Sequence, residues 1–98
     1  MTQNFPEKGR IHLVVHGKVQ GVGFRSYVLH TAKELGLFGW VRNVGYSQVE
    51  TIAEGNPEVL KRFVEAVRSG PRRSQVDDLS VIWEDPLGDY THFDIRFD

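Results

Sequence analysis

From Arg10 to His16 the side chains alternate, with Ile11, Leu13 and Val15 on one side and Arg10, His12, Val14 and His16 on the other. A period of two belongs to a strand, here with one face more apolar than the other. Past a glycine-rich stretch the period lengthens. Phe24, Val28, Ala32 and Leu35 recur at helical spacing, with Tyr27 and Thr31 beside them and Gly36 placed as a stop, which predicts a helix over about 24–35. Gly39 to Val44 has the β-branched and aromatic content of a strand, and Val49 to Glu54 follows after a link containing Gly45, Tyr46 and Ser47, so a hairpin is the economical reading. Asn56-Pro57 then sets a capping residue and a first-turn proline ahead of Leu60, Phe63, Val64 and Val67, and Gly70-Pro71 ends that second helix. After a polar loop over 72–75, Leu79, Val81 and Trp83 alternate with Ser80, Ile82 and Glu84. A turn over 85–91 leads to a closing strand over 92–98, with Phe93, Ile95 and Phe97 on one side and His92, Asp94 and Arg96 on the other.

The order β-α-β-β-α-β plus a short final strand predicts an α+β fold, a ferredoxin-like α/β sandwich with two helices on one face of a mostly antiparallel sheet. Residues 1–8 are polar, contain Pro6 and have no period, so they read as a flexible arm ahead of one domain over 9–98. No internal repeat or low-complexity tract argues for anything larger.

Charge narrows the chemistry. Lys and Arg number 12 against 13 Asp and Glu in 98 residues, a net charge of −1, so any anion binding must be local. The chain has no cysteine, which removes disulfides, thiolate zinc sites and a cysteine nucleophile. With no apolar run near the ~20 residues of a membrane span, and no apolar core in MTQNFPEKGR, a cytoplasmic protein without membrane association is expected.

The stretch HGKVQGVGFR, residues 16–25, falls between the first strand and the first helix and carries three glycines, no acid and a terminal arginine. Gly17, Gly21 and Gly23 permit positive φ, which lets successive N–H groups converge on one oxyanion at a helix amino end. Arg25, in the first helical turn, is near enough to grip the same anion with its planar fork. No Asp or Glu lies between Ile11 and Lys33 to repel it. A nucleotide P-loop is excluded because Val22 stands where its second glycine belongs, and the dinucleotide fingerprint fails at Ser26. On glycine spacing alone, a plain tight turn with a solvated Arg25 remains open.

Two stretches together say more. Gly17-Lys18-Val19-Gln20-Gly21-Val22-Gly23-Phe24-Arg25 resembles the first signature of the acylphosphatase family, and Gly39-Trp40-Val41-Arg42-Asn43 resembles its second, at the right separation. The resemblance runs from about Arg10 to Phe97, through the Gly55 region and the closing Phe93-Asp94-Ile95-Arg96-Phe97. The link after Asn43, Val44-Gly45-Tyr46-Ser47-Gln48, departs from the frequent Asp-Gly turn. The resemblance implies a small α/β sandwich that hydrolyses the carboxyl-phosphate bond of a small-molecule acyl phosphate. It makes Arg25 and Asn43 catalytic, Arg25 on the phosphoryl group and Asn43 on the attacking water. Lys18, Val19, Gln20, Gly21, Val22, Gly23 and Phe24 would supply phosphate-binding backbone donors beside Arg25. The leaving carboxylate, with a conjugate-acid pKa of about 4, needs no proton donor. A phosphoryl oxygen would take the water's proton, so no protein base, metal or cofactor is expected.

Other conspicuous residues attract plainer readings. His12, His16, His30 and His92 lack metal-ligand spacing, though His16 borders the loop. Asp77 and Asp78, adjacent on a strand, point to opposite faces and read as a solvated strand entrance. Trp40 and Trp83 fit sheet or core packing better than an acyl platform. Arg72-Arg73 reads as exposed loop charge, and Ser26 lacks a His or Lys partner to make it a nucleophile. An RNA-recognition sheet shares the element order, but its aromatics belong on the third strand, which here reads Val-Glu-Thr-Ile-Ala-Glu. A non-catalytic anion-binding or nucleic-acid-binding module is thus the alternative. The presence of both Arg25 and Asn43, in a chain closing at Asp98, favours a free-standing enzyme; with no sign of oligomerisation in the sequence, a monomer without a nucleic-acid partner is expected.

Overall fold

The structure, a computed structural model, describes residues 8–97. The arm expected over 1–8 lies, apart from Lys8, outside the described residues, as does Asp98. The chain runs β1 (Gly9–Lys18), α1 (Phe24–Glu34), β2 (Phe38–Val44), β3 (Gln48–Gly55), α2 (Pro57–Ser69), β4 (Gln75–Glu84) and β5 (Phe93–Arg96). The strands form one sheet in the order β4-β1-β3-β2-β5. Every pairing is antiparallel except that of β2 with β5, and the fold is the expected ferredoxin-like α+β arrangement.

Alternation decides which face the helices cover. Ile11, Leu13 and Val15 pair across β1–β3 with Ala53, Thr51 and Val49, and all six are fully buried. Against them lie Phe24, Val28 and Ala32 of α1 and Leu60, Phe63, Val64 and Val67 of α2. Burying side chains of this size contributes roughly 1.5–3 kcal/mol each. Thr51 is the polar exception, and its hydroxyl donates to the Trp40 carbonyl at 2.7 Å, so the burial leaves no orphan. α2 starts as its sequence predicts, with the Asn56 side chain accepting from the Glu58 N–H at 2.8 Å and Pro57 in the first turn. No helix among the described residues is long and apolar enough to cross a membrane.

The sheet is longer at one edge than its apolar pattern indicates. β4 begins at Gln75 rather than Leu79, and β1 continues to Lys18, because Gln75 and Val76 pair with Lys18 and Gly17 past a register shift. Backbone pairing at an edge needs no apolar side chain, so polar residues extend the ladder unannounced. Asp77 and Asp78 therefore lie within a strand rather than at its entrance, both exposed. β5 is shorter than expected, Phe93–Arg96. The two tryptophans part company. Trp40 is buried on the open face under the guanidinium groups of Arg42 and Arg96, 5.3 and 4.6 Å from its ring centre, with Nε1 donating to the Tyr90 hydroxyl at 3.1 Å. Trp83, on an edge strand, stays 47% exposed, so its expected packing is only partial.

Glu54 anchors the connection from β4 to β5. Its side chain is 4% exposed, and a carboxylate so buried persists only when paired. It accepts from the Leu87 and Gly88 N–H groups at 2.8 and 3.0 Å and from Arg10 at 3.0 Å. Burial alone pushes the Glu54 pKa up, but the Leu87 N–H, Arg10 and the Gly88 N–H together outweigh it and hold the group below its ordinary 4.5. A lowered folded-state pKa means stabilisation that is complete above 4.5 and lost as pH falls through the folded value. Glu54→Gln is expected to cost about 1–3 kcal/mol at neutral pH and to flatten the acid limb of a urea-unfolding series. An unchanged acid limb in that variant would remove Glu54 as its source.

Candidate functional site

β1 and β2 are both antiparallel to β3, and β5 is parallel to β2, so the carboxyl ends of β1, β2 and β5 meet at one end of the sheet. There β1 runs into the glycine loop, β2 presents Asn43 and β5 leads into Phe97. Asn43 is two residues beyond fully buried Val41 and so shares its helix-covered face. A cleft of about 310 Å³ opens between these elements.

The loop is shaped by its glycines. Gly21 and Gly23 adopt φ of 71° and 78°, a left-handed conformation costly to any residue with a Cβ, and a Cβ at either would meet only open space. Gly23 in this conformation turns the chain directly into α1. The first amide of α1 here satisfied by a carbonyl is that of Tyr27, bonded to Gly23 O at 3.0 Å. Phe24, Arg25 and Ser26, ahead of it, have no helical carbonyl one turn back, so their N–H groups remain free to donate outward.

Of the residues expected to bind phosphate, Val19, Gln20, Gly21, Gly23, Phe24 and Arg25 line the cleft, with Asn43 facing them. Lys18 does not, being exposed at the end of β1, and the Val22 side chain packs against the core. His16 projects from the face opposite to Val15 and is not part of the lining. Trp40 and Trp83 do not line it either. Ser26, Ile95 and Phe97 do, with no site role assigned to them from the sequence. Phe97 has its ring 5.1 Å from the Arg25 guanidinium carbon while remaining 82% exposed. The alternation in Phe93-Asp94-Ile95-Arg96-Phe97 puts Phe97 on the Ile95 side, but only the parallel register of β5 against β2 brings it to Arg25.

Two features give the cleft its chemistry. Among the described residues Arg25 has no carboxylate partner, whereas Arg10 is paired with Glu54 and Glu84 and Arg42 with Glu50. A half-buried, uncompensated guanidinium facing a cleft is a site for an anion. Opposite stands the Asn43 side-chain oxygen, buried and without a hydrogen-bond partner among the described residues. A buried acceptor left open is costly unless something from outside the chain donates to it. The lining carries no carboxylate or imidazole. Elsewhere among the described residues, no three His, Asp or Glu side chains gather as a metal-binding group.

The family model described as Acylphosphatase matches residues 11–95. An acylphosphatase of Trichormus variabilis is 43% identical over 79 residues, covering 81% of this chain and 78% of the relative. The crystal structure of acylphosphatase from Bacillus subtilis superposes with a TM-score of 0.86 at 41% identity, over 90% of this chain and 98% of that one. The acylphosphatase of Coxiella burnetii superposes at 0.87 with 36% identity, over 98% and 100% of the two chains. By family match, identity and coverage alike, the chain belongs to the acylphosphatase family.

Proposed function

We propose that the cleft hydrolyses the carboxyl-phosphate bond of small acyl phosphates, with the phosphoryl group in the 19–25 loop under Arg25 and the attacking water on Asn43. The observation that carries this reading is the pairing across one cleft of an uncompensated arginine with a buried, unpartnered amide oxygen. Arg25 and the free N–H groups around Gly23 bear on the equatorial phosphoryl oxygens, where positioning and charge stabilisation account for most of phosphoryl-transfer catalysis. Water donates one hydrogen to Asn43 Oδ1, which leaves a lone pair aimed at phosphorus. As the new P–O bond forms, the bond to the acyl oxygen breaks and its electrons leave as carboxylate. The second water hydrogen passes to a phosphoryl oxygen, so atoms and charge balance without a protein acid or base.

This arrangement has a built-in selectivity. A carboxylate leaves unaided, its conjugate acid having a pKa of about 4, whereas an alkoxide or unactivated phenoxide demands a proton, and the cleft lining holds no carboxyl or imidazole to supply it. Benzoyl phosphate is expected to be turned over with excess chelator present, and phenyl phosphate, whose phenol has a pKa of about 10, at no more than about one-hundredth of that rate, the usual worth of the missing general acid. Comparable rates on the two substrates, or loss of benzoyl phosphate turnover on chelation, would overturn the reading.

A further inference from the structure

The phosphate cradle and the water-holding asparagine come from separate parts of the chain, and one side chain ties them together. The Gln20 amide nitrogen lies 3.3, 3.1 and 3.0 Å from the carbonyl oxygens of Val44, Gly45 and Gln48. These carbonyls form the neck of the β2–β3 hairpin, starting with the residue next to Asn43. Two N–H bonds are shared among three acceptors, so the amide is held from several directions at once. Beside it, the Gly17 N–H donates to the Ser47 carbonyl at 3.0 Å and fastens the end of β1 to the same hairpin. Gln20 itself stands in the loop immediately before Gly21 and lines the cleft.

We infer that Gln20 is a positioning residue that sets the distance between the phosphoryl cradle and Asn43 by clamping the loop to the hairpin. The inference rests on the roles proposed above for the loop and Asn43. Three convergent carbonyl oxygens accept a donor and repel an anion, so at this position a neutral amide is suited to the clamp and a carboxylate is not. An attacking water must sit in line with the scissile bond, and a displacement of about 1 Å costs on the order of 100-fold in rate. Phosphate binding by the loop amides and Arg25 does not require Asn43 to be in register.

The clamp therefore acts on kcat rather than on phosphate affinity. For Gln20→Met, which keeps the length and removes the donor, kcat for benzoyl phosphate is expected to fall about 10- to 100-fold. The inhibition constant of inorganic phosphate is expected to stay within about three-fold, because the cradle amides and Arg25 are untouched. Gln20→Glu should fall at least as far, and circular dichroism of both variants checks that the folded fraction is unchanged. In an Asn43→Ala background, Gln20→Met should cost less than about two-fold, since no held water is left to misplace. A folded Gln20→Met with normal kcat, or losses that multiply fully in the double variant, would overturn the clamp. If Asn43→Ala alone leaves kcat intact, the water-holding role fails first. If Asn43→Ala is slow and Gln20→Met is not, the clamp alone fails.

Discussion

Arg25→Ala is expected to lower kcat/KM for benzoyl phosphate by about 1,000-fold and to weaken competition by inorganic phosphate, because removing even one oxyanion donor costs about 100- to 1,000-fold. Arg25 offers more than one donor. Its planar fork can offer two parallel bonds to an oxyanion, and its charge has no carboxylate of the chain to share it among the described residues. Arg25→Lys restores the charge without the fork and is expected to recover only a minor part of the activity. The side chain is half-buried and packs on Phe97, which is itself exposed, so its removal should leave thermal unfolding nearly unchanged. Steady-state kinetics with benzoyl phosphate and phosphate inhibition would check this together. Turnover by Arg25→Ala within about ten-fold of the wild type would mean that the backbone amides suffice, contrary to the usual worth of such a donor.

Asn43→Ala is expected to behave differently, with kcat reduced by about 100-fold or more, as for other buried catalytic hydrogen-bonding groups, while inorganic phosphate still binds. The separation follows from the geometry, since Asn43 comes from β2 and the cradle from the 19–25 loop. The variant should also be at least as resistant to urea as the wild type. The Asn43 Oδ1 atom is buried with no partner among the described residues, so deleting it removes a desolvation cost instead of a bond. An active site that is less stable than it needs to be, and works for that reason, would show as opposite signs in the two measurements. Parallel loss of stability and activity would instead make Asn43 a structural residue.

How much of this was legible in the chain varies by element. The faces of β1 and α2 were readable because Ile11, Leu13 and Val15 alternate and because Asn56-Pro57 and Gly70 bracket a helical period; the buried residues of both elements follow that pattern. The loop was readable because positive φ at Gly21 and Gly23 demands glycine, a local requirement that leaves a local trace. The start of β4 was not, since Gln75 joins the sheet through its backbone and its side chain is free to be polar. Trp83 shows the same limit from the other side, with an inward alternation on an edge strand too peripheral to cover it fully.

The candidate site divides along that line. Sequence by itself determined the element order and the strand-to-helix loop with its free helical amides, because each depends on local spacing or local backbone conformation, whereas Arg25 and Asn43 stood out through the resemblance of two short stretches to family signatures. Only the tertiary structure decided that the Asn43 oxygen is buried and open, that Phe97 stacks on Arg25, and that the Gln20 side chain reaches the carbonyls of the hairpin. Those facts arise from contacts between residues more than 20 positions apart, set by the parallel register of β5 on β2 and the turn of the hairpin. No local period carries such a register, since pairing across a sheet is chosen by the packing of the whole core.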